Sequence, residues 1–396
     1  MSGTFGSCQK PPASWPRALD PTDPSPRVGI VHDYLTQRGG AERVVLTLAQ
    51  GFPGARIYTS CFEPSGTYEE FASLDVTTSA INRIGPIRRD PRRGILLLAP
   101  AFATLPVSGD ALIVSSSAWA HGIRSEIPRV VYCHSPARWL HQPERYSTGS
   151  AGGGRSLGLA ARVLSRSIGP SMRRWDRKAM NAADRLVVNS TAVARQVAEL
   201  YDIEAEVLPP APALISGGAE QPVVGLDEGF WLTVARLLPY KNVGMILDVA
   251  RARPQDQFVI VGDGPLREQL SRTAPSNVML RHEATDDELR WMYRTARGLV
   301  APAFEDFGLT PIEAASFGTP TIALRALGHL DTIVDGTTGL FFDDLSTPAI
   351  SAALDDVGTT TFDPAILQAH ADRFGAERFI NRMHELVREV VSSVRR

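Results

Sequence analysis

The sequence predicts an α/β protein built of two facing doubly wound, Rossmann-like domains with a cleft between them. Three observations predict it. Short apolar runs alternate with segments of helical apolar spacing along most of the chain, the pattern of strands feeding helices in a layered sheet. The alternation stops once, in the Pro- and Gly-dense stretch LPPAPALISGGAEQPVVGLDEG, and then restarts. Runs such as FVIVG are apolar on both faces, as strands covered by helices on both sides should be. At 396 residues the chain also exceeds one ordinary core, taking ~150 residues per domain.

The elements follow in order. Residues 1–26 hold six prolines among Ser, Gly and Thr with no apolar period, which predicts a disordered tail. The first domain, 27–212, opens with the β-rich run RVGIVH, the loop DYLTQRGG and a helix over about 41–50, where Val44, Val45, Leu48 and Ala49 share a face. Buried strands are expected at 111–115, 129–133 and 185–189, the last leading into a helix that Ser190 caps and that runs to about Tyr201. A linker is expected over 213–228. The second domain, 229–375, has strand patterns at 231–234, 257–261, 278–281, 298–301 and 319–323. Residues 376–396 form one long amphipathic helix. Open α/β sheets bind ligands beyond the carboxyl ends of their strands, so two facing sheets place the chemistry in the cleft.

Composition narrows the function classes. Hydrophobic content of 43% and charged content of 21% are those of a globular protein. Three cysteines, Cys8, Cys61 and Cys133, are too few and too widely spaced for a disulfide scaffold or a Cys-x-x-Cys zinc site. No run approaches the ~20 apolar residues of a membrane span; the nearest, 95–107, is broken by Pro100 and Pro106. The N-terminus has no apolar signal region, so a soluble, cytoplasmic protein is expected. The net charge of −2 divides unevenly: 22 Lys+Arg against 16 Asp+Glu over 27–212, then 17 against 25 from 213 onward. A basic lobe beside an acidic one suggests different partners, and the pI of about 6.5 argues against nonspecific nucleic-acid binding.

The strongest constellation is APAFEDFGLTPIEAASFGTP. Glu305 and Glu313 flank a strand-to-helix turn formed by Phe307, Gly308 and Leu309, with Thr310 as N-cap and Pro311 at the first helical position. The free N–H groups of that turn suit a phosphate or polarised hydroxyls, and each carboxylate could hold sugar hydroxyls. Thr310-x-x-Glu313 also reads as a capping box, in which Glu313 turns back to its own helix; both readings stay open. In VARLLPYKN, Arg236 and Lys241 could neutralise a diphosphate leaving group. Lysine occurs only at positions 10, 178 and 241 among 41 basic residues, which makes an incidental lysine at 241 harder to accept. Gly262 and Gly264, in VGDGPLR, allow close backbone approach after a strand or simply a tight turn. Arg267 stands where a dinucleotide fingerprint needs Gly or Ala. Gly39-Gly40 could cradle an anion or make a turn. His134, in VYCHSPARWLH, is placed for the cleft or for a structural role, and His141 less so.

Two arginine clusters lie in the basic lobe: Arg83, Arg88, Arg89, Arg92 and Arg93, and then Arg162, Arg166, Arg173, Arg174, Arg177 and Lys178. They suit an anionic lipid surface or an ordinary solvated face. No Asp-x-Asp pair, nucleophile elbow, P-loop or His/Cys metal spacing occurs, so no divalent metal and no cofactor is expected.

On these motifs the chain resembles the retaining glycosyltransferases of family 4, with the GT-B fold, from about Val28 to its C-terminus. HDYLTQRGGAER and VYCHSPARWLH resemble the subgroup that adds mannose or related sugars to bacterial cell-surface glycans. The resemblance implies that Arg236 and Lys241 grip the donor's distal phosphate. It implies that Glu305 binds the transferred hexose with the amides of Phe307, Gly308 and Leu309, and that Glu313 binds the ribose beside Thr310. The loop of Gly262 and Gly264 would lie by the base, Gly40 would approach the diphosphate, and His134 would line the donor-sugar and acceptor pocket. The last helix would cross back onto the first domain. The implied reaction is transfer of a hexose, with GDP-mannose as donor, to a glycan or lipid-linked acceptor hydroxyl with retention of configuration. No enzyme nucleophile is required when the acceptor attacks on the face the leaving group departs from. The further expectation is a peripheral position at the inner face of the plasma membrane through the Arg-rich lobe. Two departures from the family pattern are His282-Glu283 after the base loop, and Asp331 with Gly328 where the family carries Gly-Gly and Glu. The rival readings are a GT-B sugar-nucleotide epimerase and a non-catalytic two-lobed sugar-binding protein.

Overall fold

Two parallel sheets organise the chain. The computed structural model describes residues 26–142 and 169–394; the Pro-rich tail and Arg162 and Arg166 of the second arginine cluster lie outside these residues. The first sheet contains β1 (Val28–His32), β2 (Arg56–Thr59), β3 (Val76–Thr78), β4 (Ala111–Ser116), β5 (Arg129–Cys133), β6 (Arg185–Val188) and β7 (Glu206–Val207), in the order β3-β2-β1-β4-β5-β6-β7. The second contains β8 (Trp231–Val234), β9 (Phe258–Val261), β10 (Val278–Arg281), β11 (Gly298–Ala301), β12 (Thr321–Leu324) and β13 (Gly339–Phe342), in the order β10-β9-β8-β11-β12-β13. Every pairing is parallel. Each sheet reverses its strand order once, between β1 and β4 and between β8 and β11. Such a reversal opens the crevice in which doubly wound sheets bind ligands.

Covering helices bury both faces of each sheet. In the first lobe Ile30, Ile113 and Val130 pack toward one face and Val31, Val114 and Val131 toward the other, the alternation of a strand buried on both sides. The second lobe repeats this with Trp231, Phe258 and Ile260 against Leu232, Val259 and Val261. The segment 213–228 is packed against its lobe, with Leu214, Val223 and Leu226 buried beside Phe230 and Trp291.

The Ala376–Val394 helix returns to the first lobe. Its buried residues Phe379, Ile380, Met383, Leu386, Val387 and Val390 join Val44, Val45 and Leu48 of the Gly40–Gly51 helix, a spacing of three and four that makes one apolar stripe. Arg382 adds a bidentate grip on Glu206, at 2.7 and 2.8 Å. The apolar run at 95–107 forms a nine-residue helix, Ile95–Ala103, with Pro100 inside it. No described helix is long and apolar enough to cross a membrane.

Candidate functional site

A cleft of about 900 Å³ lies between the lobes, beyond the carboxyl ends of both sheets. Arg236, Lys241, Gly262 and Gly264 reach it from the loops that follow β8 and β9. Glu305, Phe307, Gly308, Leu309, Thr310 and Glu313 reach it from the connection after β11. Gly40 and His134 close it from the first lobe.

The Leu309–Ser316 helix starts two residues earlier than its sequence suggests. Gly308 is its N-cap, in the left-handed region at φ 90°, and no side chain caps it. Thr310 is therefore the second helical residue and Pro311 the third, which corrects the expected Thr310 cap. The capping box is absent too. Glu313 turns inward, where one carboxylate oxygen accepts from Tyr293 Oη at 2.8 Å and the other from Ala213 N–H at 3.3 Å. Burial raises this carboxyl above its usual range against those two hydrogen bonds. No side chain caps the first turn of this helix, and Gly308, Leu309 and Thr310 at its start line the cleft, where free first-turn N–H groups suit an anion.

Cations converge at the same place. Lys241 donates from Nζ to Glu305 Oε1, with the two side chains 11% and 23% exposed. Burial favours the neutral acid at Glu305, but the adjacent ammonium overcomes it and holds the carboxyl at about 2. Arg236 donates from Nη2 to Tyr240 Oη at 3.2 Å. The Arg138 guanidinium and Lys241 Nζ lie 5.4 and 5.3 Å from the Tyr240 ring centre. Burial opposes ionisation of the Tyr240 phenol, yet Lys241, Arg236 and Arg138 together pull it below its usual value. Three positive side chains thus surround one tyrosine, next to an ionised carboxylate and a helix N-terminus. Among the described residues, no group of three or more His, Cys, Asp or Glu side chains is arranged to hold a metal ion.

Polar contacts tie the lobes across the cleft. Arg138 pairs with Asp306, and Arg236 Nη1 donates to Gln37 Oε1 at 2.9 Å. A third contact lies outside the cleft lining: Asp331 accepts from the backbone N–H of Thr191 at 2.9 Å and from its hydroxyl at 2.6 Å. The departure from the family pattern at Asp331 thus serves the start of the opposite lobe's Thr191–Tyr201 helix.

Several important residues escaped the sequence reading. Asp33, at the carboxyl end of β1, accepts four backbone N–H bonds, from Ser117, Ala118, Trp119 and Ala120, at 2.6–3.1 Å. It shapes the cleft floor as an anchored loop; its place directly after the first strand was the available signal. Gln37, Glu42 and Arg138 also line the cleft and lie inside quoted motifs that singled out other residues. His141 is elsewhere. It joins His121 and Tyr201 in holding the buried Asp176, at 2.8, 2.9 and 2.8 Å respectively. His282 does line the cleft. In the arginine clusters, Arg88 pairs with Glu63 and Arg93 with Asp90, and Arg92 reaches the cleft. Arg173, Arg174, Arg177 and Lys178 are exposed on a helix over 169–180.

Comparison with known proteins agrees with this architecture. Residues 38–211 match the Glycosyltransferase Family 4 model, and residues 220–363 match Glycosyl transferases group 1. A D-inositol 3-phosphate glycosyltransferase from Arthrobacter sp. (strain FB24) is 28% identical over 227 residues, 50% of this chain and 54% of that protein. A GDP-mannose-dependent alpha-(1-6)-phosphatidylinositol monomannoside mannosyltransferase from Mycolicibacterium smegmatis is 29% identical over 160 residues, 36% of this chain and 40% of that protein. The chain spans about half the length of the curated relatives it matches. Among solved structures, sucrose-phosphate synthase from Thermosynechococcus elongatus superposes with a TM-score of 0.67 at 16% identity, over 93% of this chain and all of that one. Anabaena HepE in complex with UDP-glucose superposes with a TM-score of 0.61 at 17% identity, over 93% and 100%. The two family matches adjoin and take in most of the chain, one on each of two facing Rossmann-like lobes: this chain belongs to the glycosyltransferases of family 4, with the GT-B fold.

Proposed function

We propose that the protein transfers a hexose from a nucleotide diphosphate sugar to a hydroxyl of a glycan or lipid-linked acceptor, with retention of configuration and with GDP-mannose as donor. The observation that carries this reading is the convergence of Arg138, Arg236 and Lys241 on Tyr240, beside Glu305 and the uncapped start of the Leu309–Ser316 helix. Breaking the anomeric bond leaves negative charge on the diphosphate, and preorganised cations and amides stabilise that charge. Removing one such contact costs ~10²–10³ in rate. Glu305, ionised by Lys241, accepts hydrogen bonds from hydroxyls of the transferred sugar, and Glu313 serves the ribose. Gly262 and Gly264 lie by the base, Gly40 faces the diphosphate, and His134 lines the sugar pocket. No divalent ion is called for in this scheme. Closing the lobes excludes water, which limits hydrolysis of the donor.

The choice of mannose rests on the resemblance of the first-lobe motifs and on the substrate in the name of the Mycolicibacterium relative. The lipid-linked acceptor accords with the Arg83–Arg93 cluster, whose neighbours Ile84, Leu96 and Leu97 are each about 45% exposed. Basic residues beside exposed apolar ones suit peripheral contact with an anionic membrane. The epimerase and the non-catalytic binding protein are not favoured, since both family matches are to glycosyltransferases. The test is a titration with GDP-, UDP- and ADP-sugars, followed by product analysis with and without a glycan acceptor. Tight GDP-mannose binding and acceptor-dependent transfer are expected. Interconversion of the sugar nucleotide alone, or binding of none of the three, overturns the reading.

A further inference from the structure

A line of buried polar groups runs from the cleft's cationic side into the first sheet and back to the cleft. Arg236 fixes Gln37 by taking its amide oxygen, which leaves the amide N–H of Gln37 to donate to Glu42 Oε1 at 2.9 Å. Glu42 lies 3.8 Å from His32 Nε2, with both side chains 2% exposed. His32 Nδ1 lies 3.2 Å from the backbone oxygen of Ser115 and 3.0 Å from its hydroxyl, because β1 and β4 pair His32 directly with Ser115. The Ser115 hydroxyl lies 2.8 Å from His134 Nε2. Glu42, His32 and His134 all line the cleft.

The backbone oxygen of Ser115 selects the order of donors in this line. A carbonyl oxygen can only accept, so the contact between His32 Nδ1 and the Ser115 backbone requires a proton on Nδ1. Glu42 beside the other nitrogen favours a proton there as well. Burial works against the imidazolium, but Glu42 and Asp33 raise the affinity of His32 for its second proton above the usual histidine value. With Nδ1–H directed at Ser115, the hydroxyl accepts from His32 and donates its own hydrogen to His134 Nε2. His134 then carries its single proton on Nδ1. Burial, helped by the charge on His32, lowers His134 to about 3 and keeps it neutral. Its backbone is held as well, by His134 N–H to Ser116 O at 2.8 Å and by Asn189 Nδ2–H to His134 O at 3.0 Å, so the ring has a fixed mount.

We propose that Glu42, His32 and Ser115 are positioning residues that order protons so that His134 presents an N–H donor, at Nδ1, to an oxygen of the saccharide in the cleft. The identity of that ligand rests on the glycosyl-transfer reading above; the proton order stands without it. A fixed neutral donor offers a hydrogen bond at every pH where the protein works, whereas a histidine free to change tautomer would present a lone pair part of the time.

The experiment is a long-range ¹H–¹⁵N spectrum of the histidine rings in the full chain, recorded without substrate. His134 is assigned by the signal lost in His134→Gln. The wild type is expected to show a protonated Nδ1 and an unprotonated Nε2 at His134. Ser115→Ala, which removes the donor to Nε2, should give both tautomers and lower turnover about tenfold, the effect of one misdirected hydrogen bond, with the donor KM within twofold. His32→Asn, whose amide N–H can replace Nδ1–H, should keep the wild-type tautomer, while His32→Leu should lose it. This second pair decides the matter if Ser115→Ala folds poorly. A proton on Nε2 of wild-type His134, or the same tautomer in wild type, Ser115→Ala and His32→Leu, overturns the proposal. A protein inert toward every nucleotide sugar but with the expected spectrum would remove the glycosyl-transfer reading and leave the proton order standing.

Discussion

Lys241 and Glu305 form a hydrogen-bonded ion pair in the cleft wall, 64 residues apart in sequence and brought together by the loops after β8 and β11. The Lys241 ammonium keeps Glu305 charged where burial alone would not. Removing one partner of such a pair leaves an uncompensated charge. Lys241→Ala should therefore raise the Glu305 carboxyl above its present value of about 2 and lower transfer by ~10²–10³. Glu305→Gln should lower transfer similarly. Circular dichroism should show both variants folded, and near-normal turnover at saturating donor would refute the assignment of the pair.

The depressed carboxyl also predicts how the fold responds to acid. Glu305 falls from its ordinary 4.5 when unfolded to about 2 when folded. The folded state therefore gains stability from the ionised form above about 4.5 and loses it as pH falls from 4.5 toward 2. Asp176 acts in the same direction: burial opposes its ionisation, but hydrogen bonds from His121, His141 and Tyr201 lower it well below the usual range. Thermal melts from pH 6 to 3 should show a falling melting temperature in the wild type. The fall should be shallower in Glu305→Gln, because an amide has no proton to take up. Parallel curves would show that Glu305 does not couple to folding.

The contacts between lobes predict a conformational effect. Asp331 holds the start of the Thr191–Tyr201 helix through two hydrogen bonds, and Arg138 holds Asp306. Asp331→Ala should cost ~1 kcal/mol, the usual effect of losing a helix-end partner. It should also enlarge the radius of gyration in solution scattering. Arg138→Asp alone should open the lobes, and the exchange Arg138→Asp with Asp306→Arg should partly close them again. An unchanged scattering profile in all three would show that these contacts do not hold the closed form.

What the sequence disclosed follows from how each residue is used. The strands β1, β4, β5, β8, β9, β11 and β12 are buried or nearly so along their length, and their apolar runs mark them; β6, which begins with exposed Arg185, and half-buried β10 are marked by their apolar runs as well. β2 begins with exposed Arg56, β3 is half-buried throughout, β7 has two residues and β13 is half-buried in the middle. Their apolar runs are too short to mark a strand by themselves, although β6 and β10 show that partial burial alone does not hide one, and they join the sheets through neighbours distant in sequence. Arg236, Lys241 and Glu305 were legible because each follows a recognisable strand. Gln37 and Glu42 were not: Gln37 meets Arg236 across 199 residues, and Glu42 meets His32 only once the first helix has packed on β1. Thr310 misled because its residue type suits a cap, while Gly308 already turns the chain at φ 90°; tertiary geometry set the helix start.

Two glycines of the cleft should respond in opposite ways to the same change. Gly262 adopts φ 147°, and a Cβ there would stand 2.0 Å from the backbone oxygen of Ala235. Backbone strain and collision add, so Gly262→Ala should destabilise the second lobe by roughly 2–5 kcal/mol. Gly40 opens the Gly40–Gly51 helix, and a Cβ there would meet only Leu309 Cδ1, at 3.2 Å, across the cleft. That contact is the end of a flexible side chain, and alanine favours the helix over glycine by ~0.5–1 kcal/mol. Gly40→Ala should therefore melt at or above the wild-type temperature while binding the donor more weakly, because the methyl group stands between the lobes where they approach. Calorimetry of both variants, with and without nucleotide sugar, separates the two effects. A Gly40→Ala protein that is stable and binds donor normally would show that the close approach at Gly40 does not serve the ligand.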